Sequence, residues 1–281
     1  MNQYRSPFAQ IPPVTKNLII INVILLLATK VFEQRGINLT ASLGLFYPGS
    51  HYFRPYQFVT YMFMHGGFTH LLFNMFALYM FGRVLESVWG PKRYLIFYFV
   101  TGLGAAAIHM FVNYLEIAPM AKAITAFSNT PAPELFSTFI NKYQGVIGNM
   151  QSMTGVTKQA VMEFAAQWHD APASPAFENE AVNFMNSLLQ ARMNIPTVGA
   201  SGAIFGVLLG FGMLFPNTQL MLLFPPIPIK AKYFVMGYGL IELVQGLSMP
   251  GSNVAHFAHL GGMIFGYILI KYWNKNSSTF Y

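Results

Sequence analysis

Ser201 is the residue of this chain best suited to act as a nucleophile. It lies between Gly199 and Gly202, in a segment that reads Pro-Thr-Val-Gly-Ala-Ser-Gly-Ala-Ile-Phe-Gly over residues 196–206. An uncharged apolar stretch follows to Phe215. The pattern predicts Ser201 in the first turn of a membrane helix, where unpaired N–H groups and the helix dipole favour developing negative charge. The alternative is a small-residue packing motif, which is common in membrane helices.

A serine nucleophile needs a general base, and the chain offers seven histidines. His259 stands out because Gly262 and Gly266 follow it and share its helix face. His256, one turn earlier, is the competing base.

The helix after Ser201 also presents a glycine face, formed by Gly202, Gly206 and Gly210. Two glycine-faced helices can approach closely enough for a Ser–His hydrogen bond of about 2.6–3.2 Å. We therefore predict that the helices carrying Ser201 and His259 pack face to face.

No acid completes a catalytic triad in this pattern. The single aspartate, Asp170, lies in a polar segment, and Glu242 has no evident reach to His259. We predict a Ser–His dyad, with Glu242 as a packed or hydrogen-bonded structural group.

Charge that develops on the attacked carbonyl oxygen needs hydrogen-bond donors. His70 and Asn74 are four residues apart in an apolar segment, so they face the same way and are candidates for this task. The alternative is an interhelical hydrogen bond, which His and Asn often make in membranes.

A metal site is the alternative to this serine chemistry. His65, His70, His256 and His259 are its possible ligands. No His-Glu-x-x-His motif is present, and we expect no acid near these histidines to complete a hydrolytic zinc site, so we predict neither a metal nor a cofactor.

The elements that must position these residues are apolar segments. The chain is 54% hydrophobic and 9% charged, against about 25% charged in soluble domains, and it has no cysteine for thiolate or disulfide chemistry. We predict an all-α polytopic membrane protein with six spans, at about 17–32, 68–88, 94–114, 199–215, 233–248 and 254–273. The first is taken as a span and not a signal peptide, because no small-x-small cleavage site follows it.

Residues 115–195 differ in kind from the spans. They hold six of the nine acidic residues, and apolar residues recur with helical spacing over 134–150, 156–168 and 176–193. We predict an extramembrane helical insertion within a membrane domain of residues 17–273. An N-terminal segment, 1–16, and a tail, 274–281, flank that domain.

Basic residues indicate the orientation. Nine of the sixteen lie in the N-terminal segment, the turns between spans two and three and between spans four and five, and the C-terminal region. The positive-inside rule places these regions, including both termini, in the cytoplasm. Orientation accounts for the net charge of +7 better than nucleic-acid binding does.

With these residues in place, the chain resembles the rhomboid family of intramembrane serine proteases over residues 17–115 and 196–273. The resemblance rests on four motifs: Gly199-Ala-Ser201-Gly202, Ala258-His259-x-x-Gly262-x-x-x-Gly266, His65 with His70-x-x-x-Asn74, and Glu86-x-x-x-Gly90.

The resemblance implies a role for each matching residue. It implies that Ser201 is the nucleophile and His259 the general base. His70, Asn74 and the Ser201 N–H are expected to line an oxyanion hole. Gly199 is expected to belong to the same oxyanion and substrate-binding group. The residues expected to be structural are His65, Glu86, Gly202, Gly206, Gly262 and Gly266.

Two departures from the family pattern concern the loop and the insertion. Tyr56-Gln57 stands where the family often has a Trp-Arg pair, which affects how the first loop is anchored. The 115–195 insertion is far longer than the corresponding connection of simple members, and the family gives it no role.

The expected function is cleavage of transmembrane segments of membrane-protein substrates near the outer interface. The partners are those substrates and the lipid bilayer, and the expected location is a bacterial cytoplasmic membrane. The alternative is a non-catalytic binding or chaperone protein of the same fold. A transporter is disfavoured because the sequence shows no internal repeat.

Overall fold

The computed structural model of the chain describes residues 11–148, 155–222, 226–248 and 255–275. Within them the backbone contacts divide the chain into two units. The membrane unit comprises the chain up to Leu45, Arg54–Met110 and the chain from Pro196 onward. The insertion unit comprises Phe46–Phe53 and Phe111–Ile195.

Helices dominate the membrane unit. Its long helices are α1 (Pro13–Glu33), α4 (Phe68–Trp89, with a π-helical turn at Leu78–Gly82), the first half of α5 (Pro91–Asn129), α9 (Ser201–Leu214), α10 (Ala231–Ser248) and α11 (His256–Lys275). The loop after α1 contains α2 (Leu39–Leu43), α3 (Gln57–Thr60) and a 3₁₀ turn (Tyr61–Phe63). A helix thus occupies each predicted apolar segment, which confirms the all-α polytopic fold class.

The helices differ in their capacity to cross a membrane. Among the described residues, α1, α4 and α5 are long and apolar enough to do so. The 14 residues of α9 extend about 21 Å at about 1.5 Å per residue, less than the roughly 30 Å of a hydrocarbon core. Helices α10 and α11 are long enough but less apolar, since they carry Glu242, His256 and His259.

Glu86 attaches α4 to the beginning of α1. Its carboxylate accepts hydrogen bonds from the N–H of Val14 at 2.8 Å, the N–H of Thr15 at 2.7 Å and the Thr15 hydroxyl at 2.8 Å. The first N–H groups of a helix lack intrahelical partners, and a negative charge is favourable at that end of the dipole. Glu86 is buried and therefore caps α1 from a neighbouring helix.

Helix α5 continues beyond the predicted end of the third span at residue 114. Met120, Ile124 and Phe127 recur at helical spacing and are buried in the core of the insertion unit. This packing extends the helix through Pro119 to Asn129, so the predicted boundary at 115 falls inside a continuous helix.

The rest of the insertion unit is also helical. It contains α6 (Pro133–Lys142), helical residues 144–148, α7 (Lys158–Asp170) and α8 (Pro175–Met193). Trp168 is fully buried and lies edge-on to the rings of Phe127 and Phe136. The prediction of a helical insertion is confirmed.

The predicted turn between spans four and five is more ordered than the sequence indicates. It contains β1 (Gln219–Met221) and β2 (Pro228–Lys230), which pair antiparallel with Leu220 opposite Ile229. The predicted turn at 249–253 and most of the N-terminal segment and tail lie outside the described residues.

Candidate active site

Helix α9 begins at Ser201, which confirms the prediction that this residue lies in the first turn. The preceding Ala200 offers no side-chain cap. Because the first N–H groups of a helix have no intrahelical acceptor, the Ser201 end of α9 presents free donors and the positive end of the dipole.

The structure brings Ser201 and His259 together. The Oγ atom of Ser201 lies 2.8 Å from Nε2 of His259, in hydrogen-bond contact between α9 and α11. This distance is within the range expected for a serine nucleophile and its base.

Glycines permit the approach of these two helices. A Cβ atom on Gly262 would collide with the carbonyl oxygen of Gly202, and a Cβ on Gly266 would lie 3.4 Å from Cα of Gly206. Gly210, which the sequence places on the same face, lies instead near side chains of α4 and α5.

Phe205 fixes the plane of the His259 ring. The two rings stack with centroids 4.3 Å apart and planes 3° from parallel. Phe205 follows Ser201 by one helical turn, so α9 supplies both the nucleophile and the surface against which the base lies. Phe205 is not among the predicted site residues, although its i+4 spacing from Ser201 indicates that the two share a helix face.

Glu242 reaches the histidine, so the expectation that it would not is wrong. Its Oε2 lies 2.9 Å from Nδ1 of His259 and 2.7 Å from Nδ1 of His256. All three side chains are buried. Glu242 is far from both histidines in sequence, and only the packing of α10 against α11 brings it near them. His256 contacts this carboxylate, while His259 contacts Ser201.

The same three residues are the group whose atoms could hold a metal ion among the described residues. Their ligand atoms lie within 4.8 Å of one another, whereas His65 and His70 do not join the group. Glu242 therefore lies beside two of the four histidines, and the expectation of no acid near them is wrong. Both Nδ1 atoms are already within hydrogen-bond distance of one carboxylate oxygen, and metal ligation would require both to lose their protons. The hydrogen-bonded arrangement accounts for the cluster without an ion.

His70 lies beside Gly199, two residues before the nucleophile. A Cβ on Gly199 would come within 2.9 Å of Nε2 of His70 and 3.4 Å of the Ser201 Oγ, so both groups border the same position. Asn74, one turn later on α4, is buried, and its Nδ2 has no hydrogen-bond acceptor among the described residues. Each side chain has a nitrogen that can donate a hydrogen bond.

Gly199 contributes to the site through its backbone conformation and its lack of a side chain. It has a φ of +133°, which side-chain-bearing residues rarely adopt. Its N–H donates to the carbonyl oxygen of Tyr61 at 3.0 Å. That N–H is therefore engaged in the loop, and the absence of a side chain leaves room for His70.

His65 packs against His70, with ring centroids 5.0 Å apart. It lies in the loop before α4, where burial and the neighbouring His70 lower the pKa of His65 to about 4. His65 is therefore uncharged at neutral pH and adds no positive charge beside His70.

Gln57 anchors the first loop where the family often has a Trp-Arg pair. It is fully buried; its Oε1 accepts from the N–H of Arg54 at 3.1 Å and its Nε2 donates to the carbonyl of Ser42 at 3.2 Å. The hydroxyl of Thr60 donates to the carbonyl of Leu43 at 2.7 Å. These bonds hold the loop to the segment at 42–43.

The remaining histidines lie elsewhere. His109 on α5 is 2.8 Å from the hydroxyl of Thr197, in the strand-like segment that leads to Ser201. His51 and His169 belong to the insertion unit.

Comparison with known proteins identifies relatives over most of the chain. A family model of the rhomboid domain matches residues 52–123 and 179–275. RHOMBOID-like protein 12, mitochondrial, of Arabidopsis thaliana is 23% identical over 253 residues, which are 89% of this chain and 55% of the relative. A mitochondrial rhomboid protein of Schizosaccharomyces pombe is 25% identical over 261 residues, 88% of this chain and 58% of its own.

A shorter match is to the rhomboid protease AarA of Providencia stuartii, which is 37% identical over 57 residues, 20% of each chain. The chain spans less than two thirds of the length of each of these relatives. The two that cover most of the chain are mitochondrial, so they do not support the bacterial cytoplasmic membrane expected from the sequence.

Proposed function

This chain belongs to the rhomboid family, and from that premise we propose that it is a serine endopeptidase that cleaves transmembrane segments of other membrane proteins. The observation that carries the proposal is the 2.8 Å contact between Ser201 Oγ and His259 Nε2 at the start of α9. Family membership alone is compatible with a binding protein, whereas this contact is what nucleophilic catalysis needs.

The chemistry proceeds in two steps. In the first, Ser201 attacks the scissile carbonyl while His259 accepts the hydroxyl proton, and His259 then donates that proton to the leaving amine. The C–N bond breaks and an acyl-enzyme remains. In the second, water attacks the ester, His259 takes its proton, and that proton returns to Ser201 as the acid product leaves.

The developing oxyanion requires donors at the position that Ser201 and His70 border. We assign this task to the Ser201 N–H, to His70 and to the Asn74 amide. Asn74 supports the assignment because a buried amide donor without an acceptor is costly and is therefore rare unless it serves a ligand.

The substrate is a membrane segment because the nucleophile stands on a helix of the membrane unit. Ser201 lies at the beginning of α9, and the basic turn with Lys230 and Lys232 follows the other end of this helix. Since basic turns are expected on the cytoplasmic side, we place the site toward the outer interface. The backbone hydrogen bonds of a helical substrate are satisfied within its own helix. Residues that destabilise the substrate helix should therefore favour cleavage.

The test uses the purified protein with a fluorophosphonate probe and a single-span substrate. Wild type should label and cleave, while Ser201→Ala and His259→Ala should do neither and His256→Ala should retain more activity. Ser87→Ala is the matched control, because Ser87 is an exposed serine on α4 that bonds only within its own helix.

Two outcomes would overturn the proposal. Labelling that survives in Ser201→Ala would place the nucleophile elsewhere, and cleavage lost in His256→Ala but kept in His259→Ala would reverse the base assignment. A folded wild-type protein that binds the substrate without cleavage or labelling would support the non-catalytic binding protein instead.

A further inference from the structure

Nε2 of His259 faces Ser201, and the other ring nitrogen, Nδ1, faces Glu242. Among the described residues, Glu242 is the only charged side chain in hydrogen-bond contact with that Nδ1 atom. Its Oε2 is within 2.9 Å of Nδ1 of both His256 and His259. An ionised carboxylate accepts hydrogen bonds and cannot donate them. With Glu242 ionised, both imidazoles present an N–H at Nδ1 to the carboxylate.

The proton on Nδ1 has a direct consequence for His259. A neutral imidazole carries one ring proton, so Nε2 of His259 is left as an acceptor. That atom faces the Ser201 hydroxyl at 2.8 Å. The carboxylate thus holds His259 in the tautomer that can take the serine proton.

The same carboxylate is suited to the charged state of the base. When His259 accepts the proton it becomes an imidazolium, and Glu242 then lies against a full positive charge in a buried site. Buried, hydrogen-bonded charge pairs interact much more strongly than exposed ones.

We propose that Glu242 is a positioning residue of this active site, which orients His259 and stabilises its protonated form during attack. The proposal rests on the proposed endopeptidase function. His256 donates the second hydrogen bond and keeps the carboxylate in place, so the polar group comprises Ser201, His259, Glu242 and His256.

A purely structural role is the competing explanation. The buried residues of α10 are Ala231 and Val235 near its beginning and Glu242 in its second half. Glu242 therefore also attaches the second half of α10 to α11. The experiment must separate loss of this attachment from loss of the base.

The test compares Glu242→Gln and Glu242→Asp with wild type. Glutamine has nearly the same shape and a carbonyl oxygen that can accept hydrogen bonds, but it carries no negative charge to stabilise the His259 imidazolium, and its NH₂ group adds a donor. We expect kcat per folded molecule to fall by up to about 10⁴-fold, the size seen when the acidic member of a serine protease triad is lost. KM should change by less than about threefold, and the rate of fluorophosphonate labelling should fall with kcat.

Glu242→Asp keeps the negative charge near His259 and should recover at least about tenfold of the kcat lost in Glu242→Gln, because that charge still favours the protonated imidazole. The matched control is Glu180→Gln, the same chemical change at an exposed residue of the insertion unit, which should behave as wild type. Thermal unfolding of each variant reports the folded fraction.

The outcomes separate the two ideas. Cleavage that falls while probe labelling stays at the wild-type rate would mean that Glu242 acts only through the placement of α10, and the proposal would be wrong. Glu242→Gln with wild-type cleavage and labelling would refute it as well. If wild type itself neither labels nor cleaves, it is the endopeptidase function that fails, whatever the Glu242 variants do.

Discussion

Replacement of Gly262 by alanine should separate the nucleophile from its base without altering either residue. The added Cβ would occupy the place of the Gly202 carbonyl oxygen, which is part of a helix backbone and cannot rotate away. The two helices must then move apart by about 1 Å. Gly202 follows Ser201 directly and Gly262 lies one turn after His259, so the same displacement is transmitted to the reacting pair.

The magnitude follows from the Ser–His distance. The contact is 2.8 Å, and a useful hydrogen bond ends near 3.2 Å, so about 0.4 Å of separation is tolerated. A misplacement of about 1 Å costs roughly 10²-fold in rate, or about 2.7 kcal/mol of transition-state stabilisation. Overpacking should also lower the free energy of unfolding by about 1–3 kcal/mol.

A graded series of glycine variants makes the assay specific. Gly262→Ala should lower the kcat for single-span substrate cleavage by about 10²-fold. Gly266→Ala should have a smaller effect, because its Cβ would meet Gly206 at an ordinary 3.4 Å and the Phe97 ring at 3.2 Å. Gly237→Ala on α10, which has nothing within 4 Å, should leave cleavage unchanged.

The reasoning is refuted if folded Gly262→Ala cleaves within about threefold of wild type, a change far below the loss expected for this displacement. It is refuted equally if Gly237→Ala loses as much activity as Gly262→Ala, since the effect would then arise from alanine in a membrane helix and not from helix approach. Thermal unfolding measured on the same samples separates misalignment from global loss of structure.

Three further predictions concern the oxyanion donors, the α1 cap and the insertion. His70→Ala or Asn74→Ala should lower turnover by up to about 10²–10³-fold, and unchanged turnover with a lower melting temperature would make that residue an interhelical bond. Glu86→Ala should lower the free energy of unfolding by about 3 kcal/mol by leaving the Val14 and Thr15 donors without their acceptor, yet fluorophosphonate labelling of the folded fraction should persist. Replacement of residues 120–192 by a Gly/Ser linker should preserve labelling and change cleavage of transmembrane substrates; equal cleavage of a substrate panel would indicate a passive insertion, and loss of labelling in a folded deletion would show that the insertion shapes the site.

The sequence predicted those parts of the fold and site that depend on local pattern. Apolar runs located the helices, and the glycine spacing around Ser201 and His259 indicated the helix pair on which the site is built. The end of α5 was missed because its continuation is stabilised by contacts of Ile124 and Phe127 with later helices of the insertion.

Glu242 shows why the remaining parts of the site were not predictable. The sequence around a lone acid in an apolar segment does not identify its hydrogen-bond partner, and here the partners lie on the next helix along the chain. Only the rotation of α10 about its axis decides whether the carboxylate meets His259 or lipid. Phe205 differs, because its spacing from Ser201 places it on the right face before any tertiary contact is known.

The polar chain from Ser201 to His256 also explains how such a site can persist inside an apolar helix bundle. An isolated buried charge or imidazole is costly in a membrane unit, but here each group binds the next one. Ser201 contacts His259, and both His259 and His256 contact Glu242. Since removal of one member leaves its neighbour unpaired, the contacts that stabilise the helix packing are the same contacts on which the proposed attack by Ser201 depends.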